Sequence, residues 1–427
     1  MEKIDDIKYI LSQLLNLSLQ DIGEVVAIDK TTLSCSLDSK IQKCPYCCSS
    51  HLHSKGYYKK KYRLPFNHSN IKIVLLKIKR FKCQECHDSF SNSIGLTPRN
   101  FAIPYSTIDS IMENLKKPNE TFKSTAEHFS VSETTVKRYF DKYYHPDKFN
   151  LPSVLCFDEV YIPSLNISSN YLTVLYDFEK KRLIEVISSR KKADLHRYFY
   201  HLNEKEKEKV QYVCIDMYRT YYDIARIHFK KAIICIDSFH VIKNLNDSLD
   251  KIRVLIMNQY HSDSIEYYLL KNWKFLLFDR KSNFHNKPQY NRKLKRYINK
   301  AQLFELILQI HPDLEKAYRL VDEYILFNSY DDLPERKLLE IDYYINNFLK
   351  SGIPELVQFG KLLTRWKIEI CNSFTRIDGI RISNAFTEAS NGTIKDMIRN
   401  AKGMHSFERC RNRMMYVINK DNWILRD

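Results

Sequence analysis

Two cysteine pairs, Cys44-Pro-Tyr-Cys47 and Cys83-Gln-Glu-Cys86, are separated by 35 residues. Each C-x-x-C closes a tight turn that offers two thiolates, and two such turns complete the tetrahedron of a structural zinc ion (Zn2+). The competing reading is that these are ordinary buried thiols, which seldom come as two pairs in polar, turn-prone sequence. His51, His53 and His87 flank the pairs and are alternative ligands. The chain has 11 cysteines, an odd number, and no signal-peptide layout at its start, which argues against a disulfide framework.

A second chemistry is written in acids. Three apolar runs end in carboxylates: Val154-Leu-Cys-Phe-Asp158-Glu159, Val213-Cys-Ile-Asp216 and Ile234-Cys-Ile-Asp237. One Asp after a strand is usually a turn former or helix cap. Several at adjacent strand ends can hold Mg2+ or Mn2+, which take a few carboxylate oxygens together with water and substrate phosphate. A further acid lies in Ser383-Asn-Ala-Phe-Thr-Glu388, read as the start of a helix capped at Ser383 or Asn384. Glu388, Asn391, Lys395, Arg399 and Lys402 recur every three or four residues and share one helical face. That order suits a metal ligand beside a DNA backbone; a solvated face is the plainer alternative.

Basic residues supply the expected partner. Residues 55–82 contain ten Lys and Arg and no acid, with Tyr57, Tyr58 and Tyr62 interleaved. Such a stretch, fixed by a zinc site, is suited to tracking phosphates, and Lys59, Lys60, Lys61, Arg63, Lys79 and Arg80 are the predicted contacts. Downstream, residues 121–139 have the layout of a helix-turn-helix: small Ala126 for close helix approach, Val131 and Val136 toward the core, and Ser132 capping a second helix. That helix would present Glu133, Thr134, Thr135, Lys137 and Arg138 outward, the last four as DNA contacts. A simple helical hairpin is the rival reading.

The elements that must position these residues follow from composition and periodicity. The chain has 427 residues, 44% hydrophobic and 13% aromatic, enough for several buried cores, and a formal charge of +17 that favours a polyanion. No apolar run of 18 residues appears, so a soluble, intracellular protein with no membrane partner is expected. Its eight glycines form neither a dinucleotide fingerprint nor a phosphate loop. The segmentation reads as a packing segment at 1–40 with a helix at 4–15 and a strand at 24–29, a zinc ribbon at 41–95 and a helix-turn-helix domain at 100–148. An α/β core then begins at 150–245, an all-helical insertion occupies 246–378, and the core's last helices lie at 379–427.

Taken in order, these motifs resemble the transposases of the insertion-sequence L-three family, over about residues 40–418. Besides the cysteine pairs and the helix-turn-helix, the ordered series includes Asp158, Ile215-Asp216-Met217-Tyr218, Ile236-Asp237-Ser-Phe239-His240-Val241, Ser351-Gly-Ile-Pro-Glu355, Leu363-Thr-Arg-Trp366 and Ser383-Asn-Ala-Phe-Thr-Glu388. The resemblance implies a multidomain α/β protein with a ribonuclease-H-like catalytic core interrupted by the helical insertion. The core's first and fourth strands would lie side by side, with Asp158, Asp216 and Glu388 as the acidic triad. Asp237 competes with Asp216 for the second place; it belongs to a D-x-x-H arrangement with His240, and these two and Asn391 are supporting residues. The family commonly has Glu-Gly-x-Asn-Asn where this chain has Glu388-Ala-Ser-Asn391-Gly392, which puts this copy's activity in doubt.

The implied activity is metal-dependent cleavage at the element's terminal inverted repeats, followed by strand transfer into target DNA. Double-stranded DNA is the implied partner, synapsed by a homodimer or higher oligomer. Two rival classes are a catalytically inactive transposase-derived DNA-binding repressor and a nuclease that cuts but does not join.

Overall fold

The computed structural model describes residues 2–15, 17–37, 41–64, 72–91, 103–146, 150–163, 169–279, 284, 287–401 and 406–421. The chain divides into two compact units, one of residues 1–148, 164–166 and 393–427, the other of residues 149–163 and 167–392.

The first unit begins with α1 (Glu2–Leu15), β1 (Ile22–Ala27) and β2 (Thr32–Leu37), followed by β3 (Leu52–Arg63), β4 (Ile73–Cys83) and β5 (Ser89–Ser91). The five strands form one sheet in the order β1-β2-β4-β3, with β5 on β4. Alternation along β3 and β4 sorts their side chains by face. Val74, Leu76 and Ile78 of β4 join Tyr62, Leu11, Leu33 and Leu37 in a core. Lys60 sits on that same side of β3, half-buried, its Nζ 5.2 Å from the Tyr62 ring centre. Lys59, Lys61 and Arg63 point the other way and are exposed.

Three helices follow: α2 (Tyr105–Leu115), α3 (Phe122–His128) and α4 (Glu133–Tyr143). Thr121 and Ser124 form a reciprocal capping box at the start of α3, and the Ser132 side chain accepts from the Thr135 N–H at the start of α4. Ala126 and Val136 are buried, as their sizes require, whereas Val131 is half-buried.

The second unit opens with β6 (Val154–Tyr161), β7 (Tyr171–Asp177), β8 (Arg182–Ile187), α5 (Lys192–Tyr200), α6 (Glu204–Lys207), β9 (Tyr212–Ile215), α7 (Arg219–His228) and β10 (Ile233–Ile236). The sheet order is β10-β9-β6-β7-β8. β9 is parallel to both β6 and β10, and β7 is antiparallel to its two neighbours. Near-continuous apolar runs fit these central strands, which are buried on both faces.

A helical block follows, with α8 (Ser238–Met257), α9 (Ile265–Asn272), α10 (Lys300–Leu308), α11 (Pro312–Ser329), α12 (Pro334–Leu349) and α13 (Pro354–Asn372). Pro occupies the first turn of the last three, where its missing N–H costs nothing. Helix α11 buries Leu314, Ala317, Val321, Tyr324 and Phe327 at three- and four-residue spacing. Gly360 lets α13 approach α12: a Cβ there would meet Phe348 and Leu349 atoms at 3.1 Å. One contiguous core runs from Phe157 and Ile215 of the sheet through Leu245 and Leu249 to Trp366 and Ile370.

The block expected to be wholly helical also holds two hairpins, β11 (Gln289–Asn291) with β12 (Arg296–Ile298), and β13 (Arg376–Ile377) with β14 (Ile380–Arg381). These strands of two or three residues are too short for a legible alternation. Helix α14 (Ala385–Ala401) follows.

The first unit is completed by α15 (Phe407–Asn419), packed on α2–α4. Arg413 is buried and donates to the carbonyls of Lys117 and Glu120 at 3.2 and 3.0 Å, closing the α2–α3 turn. Arg409 forks onto the Asp141 carboxylate, and the Tyr416 hydroxyl donates to the Met112 carbonyl at 3.1 Å. No described helix is long and apolar enough to cross a membrane.

Candidate metal centres

The thiol site is built from two matching turns. Cys44 and Cys47 precede β3, while Cys83 ends β4 and Cys86 follows it; Leu52 pairs with Cys83 across the ladder, which brings the two turns together. The residue after each pair, Cys48 or His87, has a left-handed φ of 59° or 60°. All four Sγ atoms lie within 4.8 Å of one another. Cys44 and Cys86 are 3.6 Å apart and Cys47 and Cys83 3.5 Å, close to the roughly 3.8 Å edge of a tetrahedron with 2.3 Å zinc–sulfur bonds. The Cys86 backbone N–H, helped by that of Glu85, outweighs lost solvation and brings the Cys83 thiol down to about 7. The donor set therefore fits zinc. The histidine alternatives fall away: His51 pairs with Glu85 at 3.0 Å, and neither His53 nor His87 belongs to the cluster.

The acids are assembled differently. β6 and β9 pair in parallel as far as Cys156 opposite Cys214; Asp158 lies two residues beyond that pair within β6, and Asp216 two residues beyond it, just after β9. β9 and β10 pair through Ile215 opposite Ile236, so Asp237 stands opposite Asp216 in turn. Asp216 and Asp237 thus follow two adjacent strand ends, whereas Asp158 sits inside β6 and not at its end as the sequence suggested; its charge acts on both of the others. The Asp158 carboxylate is held by α14: its Oδ2 accepts from the Thr387 hydroxyl at 2.6 Å and the Asn391 amide at 2.8 Å, and its Oδ1 from the Glu159 N–H at 2.8 Å. Asn391 is fixed from the other side, its Oδ1 accepting from the Tyr176 hydroxyl at 3.1 Å.

Asp216 accepts from the Tyr218 N–H at 3.0 Å, and burial pushes its carboxyl up to about 6. Asp237 is 1% exposed, and its carboxyl too is raised by burial. Its Oδ1 accepts from the Asn384 N–H at 3.1 Å, while its Oδ2 is buried without a hydrogen bond, 3.9 Å from His240 Nε2. Glu388 is exposed on α14; partial burial raises its carboxyl, followed by the negative charge of Asp237. Glu159 is neutralised by Arg190 at 2.8 Å. Buried acids held above their ordinary range, one with an orphaned oxygen, form a donor set suited to a hard divalent cation. They are not drawn together as the thiols are: among the described residues, the four cysteines alone form a group of three or more such ligands within 4.8 Å.

Several sequence-derived details need correction. Asn391 does not share a solvated face with Glu388, because it turns inward to Asp158 and is 7% exposed. Lys395 and Arg399 are exposed, Arg399 paired with Asp396, and Lys402 lies outside the described residues. Asn384 does not cap α14 with its side chain, which donates instead to the Phe157 carbonyl at 3.0 Å. Of the α4 residues expected to face outward, Thr134 and Arg138 are exposed; the Thr135 hydroxyl bonds Ser132, and Lys137 pairs with Glu133 at 2.6 Å. In the head, Lys79 lies over the Phe81 ring, Arg80 is exposed, and Arg63 donates to the Ser130 carbonyl at 2.7 Å. Thr387 and Asn384 were missed as site residues. Their only sequence signal was a place within four residues of Glu388 in a helix start.

The family model of insertion-sequence L-three transposases of the DDE type, described as "Transposase", matches residues 155–414. No curated protein matches the chain.

Proposed function

The chain belongs to the insertion-sequence L-three transposases, and from that premise we propose that it binds the terminal repeats of its element, cleaves DNA there and joins the freed 3′ hydroxyl to target DNA. The observation that carries the catalytic part is the placement of Asp158 and Asp216 two residues beyond the last pair of the β6–β9 ladder, with Glu388 on the helix that grips Asp158. The sheet order β8-β7-β6-β9-β10 supports reading this unit as a ribonuclease-H-like core, with the helical block inserted after its fifth strand.

In this reading Asp158, Asp216 and Glu388 hold Mg2+ or Mn2+. When bound, the ions lower the pKa of the attacking water or hydroxyl and stabilise the leaving oxygen. Thr387 and Asn391 are positioning residues, fixing one oxygen of Asp158 so that the other faces a defined direction. Arg190 removes the charge of Glu159 from the site. Asp237 and His240 support the strand end beside Asp216; burial makes Asp237 the less accessible acid.

The zinc-fitted head and α2–α4 supply recognition, with α3 and α4 as a helix-turn-helix. Lys59, Lys61, Arg63 and Arg80 are the exposed phosphate contacts, and Thr134 and Arg138 lie on the outward side of α4.

The test is a cleavage and strand-transfer assay on DNA carrying the element's ends, with Mg2+. Wild type yields both nicked and joined products. Asp158→Asn lowers both by at least about a hundredfold, the scale expected for a group needed only in the transition state. An Asp158→Asn protein as active as wild type sinks the triad, cutting without joining supports a plain nuclease, and binding without cutting supports a repressor.

A further inference from the structure

The hairpin of β11 and β12 interrupts the helical block with a segment of one charge. From residue 280 to residue 304 the sequence has eight Lys and Arg and no Asp or Glu. Four of these cations, Arg292, Lys293, Lys295 and Arg296, crowd the hairpin tip and are exposed. None has an acidic partner among the described residues, although elsewhere in this unit exposed cations such as Lys192 and Arg219 do.

The tip is rigidly mounted. Asn291 is buried, and its Oδ1 accepts from the N–H groups of Lys293 and Leu294, both at 3.1 Å, which fixes the turn. Its amide donates to the Tyr268 hydroxyl at 3.1 Å. Ile298 is buried in the core of the unit, and Leu294 packs against that core. Lys295 takes the left-handed conformation that reverses the chain, at φ 51°. A fold that fixes a loop this closely and then gathers four like charges on it accepts mutual repulsion that a bound polyanion relieves.

Two tyrosines extend the surface. Tyr290 and Tyr297 are 54% and 72% exposed and meet edge to face at 5.4 Å. Exposed phenols beside unpaired cations suit a sugar-phosphate backbone, which accepts hydrogen bonds from both and packs against the rings.

We propose that the β11–β12 hairpin is a second DNA-contacting element, which binds the phosphates of duplex DNA through Arg292, Lys293, Lys295 and Arg296 independently of the head. The inference rests on the reading of the chain as a DNA-binding protein and does not depend on the acidic triad. Charge complementarity to an anionic lipid surface is the competing source of the same pattern, and the experiment separates it.

The test uses the full chain with zinc, without Mg2+, so that no cleavage occurs. Binding to a duplex lacking the element's ends is measured by fluorescence anisotropy across a salt series, with wild type, a four-site variant carrying Gln at 292, 293, 295 and 296, and Tyr297→Ala. Removing one cation from a phosphate lowers the slope of log K against log salt by about 0.9, so the four-site variant is expected to lose about 3 to 4 units of slope and roughly tenfold or more in affinity at low salt. Tyr297→Ala weakens binding less and leaves the slope unchanged.

A four-site variant with wild-type melting temperature, slope and affinity overturns the hairpin's role. So does one that loses binding only to vesicles of phosphatidylserine. If wild type itself binds no duplex, the DNA-binding reading fails first and takes the hairpin with it.

Discussion

The thiol cluster and the acid cluster are both suited to metals, but the protein prepares them in opposite ways. The four thiols converge within 4.8 Å, and the donors that reach them are backbone N–H groups of their own turns. The acids come from three neighbouring strands or the turns that follow them, yet several of their oxygens are occupied by protein donors: Thr387 and Asn391 on Asp158, the Tyr218 N–H on Asp216, the Asn384 N–H on Asp237. A structural metal fastens the end of the sheet where the apolar cluster is small, Phe81 and Phe90 beside Cys44 and Cys83, so its ligands must arrive together. An ion that works on a substrate needs open coordination positions, so its ligands are held in place but not closed around it. The difference lies between a site that stabilises a fold and one that stores electrostatic cost until a cation and a phosphate share it.

The contrast can be broken in three places. The largest effect is expected at the thiols: chelation, or Cys83→Ser, unfolds the head and abolishes end binding, since structural zinc is worth on the order of 10 kcal/mol to a small domain. The checks are zinc content, circular dichroism and anisotropy on end DNA; a chelated protein that still binds ends removes zinc from recognition.

A middle-sized effect is expected at Thr387. Replacing it with Val removes a charge-assisted hydrogen bond to Asp158, a loss of about 1.5–3 kcal/mol if fully expressed in the reaction. Cleavage should fall about tenfold or more while end binding holds, and Thr387→Ser should recover most of it. If Val and Ser behave alike, the hydroxyl does not position Asp158.

The smallest effect is in stability. The folded carboxyl of Asp216 sits near 6 because of burial, above the ordinary value near 3.9 in the unfolded chain. Between those values the folded state binds more protons, so metal-free stability falls as pH rises from about 4 to about 6. Asp216→Asn should therefore raise the metal-free melting temperature at pH 7.5 by several degrees, and the gain should vanish at pH 4. Mg2+ should raise the wild-type melting temperature and not the variant's. If Asp237→Asn alone shows this pattern, the second acid has been misassigned.

The same contrast explains what the sequence disclosed. Cys44, Cys47, Cys83 and Cys86 were readable because a turn of four residues presents each pair, so spacing alone carries the geometry. Asp216 was readable as a strand end, whereas Asp158, read the same way, lies inside β6; their nearness depends on a register between segments 58 residues apart, which no local pattern encodes. Lys60 was misplaced for a related reason. A run of three lysines in a strand must alternate faces, and composition does not tell which of them turns to the core. The roles of Thr387 and Asn384 were hidden because their partners are more than 140 residues away. The β11–β12 hairpin was missed because its six strand residues give no usable period.

The placement of α15 has a consequence in time. Arg409, Arg413 and Tyr416 reach their seats on α2–α4 only after the whole second unit has been translated. At about 5–20 residues per second, the 269 residues between Tyr144 and Arg413 separate the two events by roughly 15–55 s. For that interval the newborn α2–α4 lack the helix that packs on them, so a ribosome that stops early releases a head without α15. Under the proposed function, competent engagement of DNA then waits for α15, and fragments that lack it are poor competitors for the same sites.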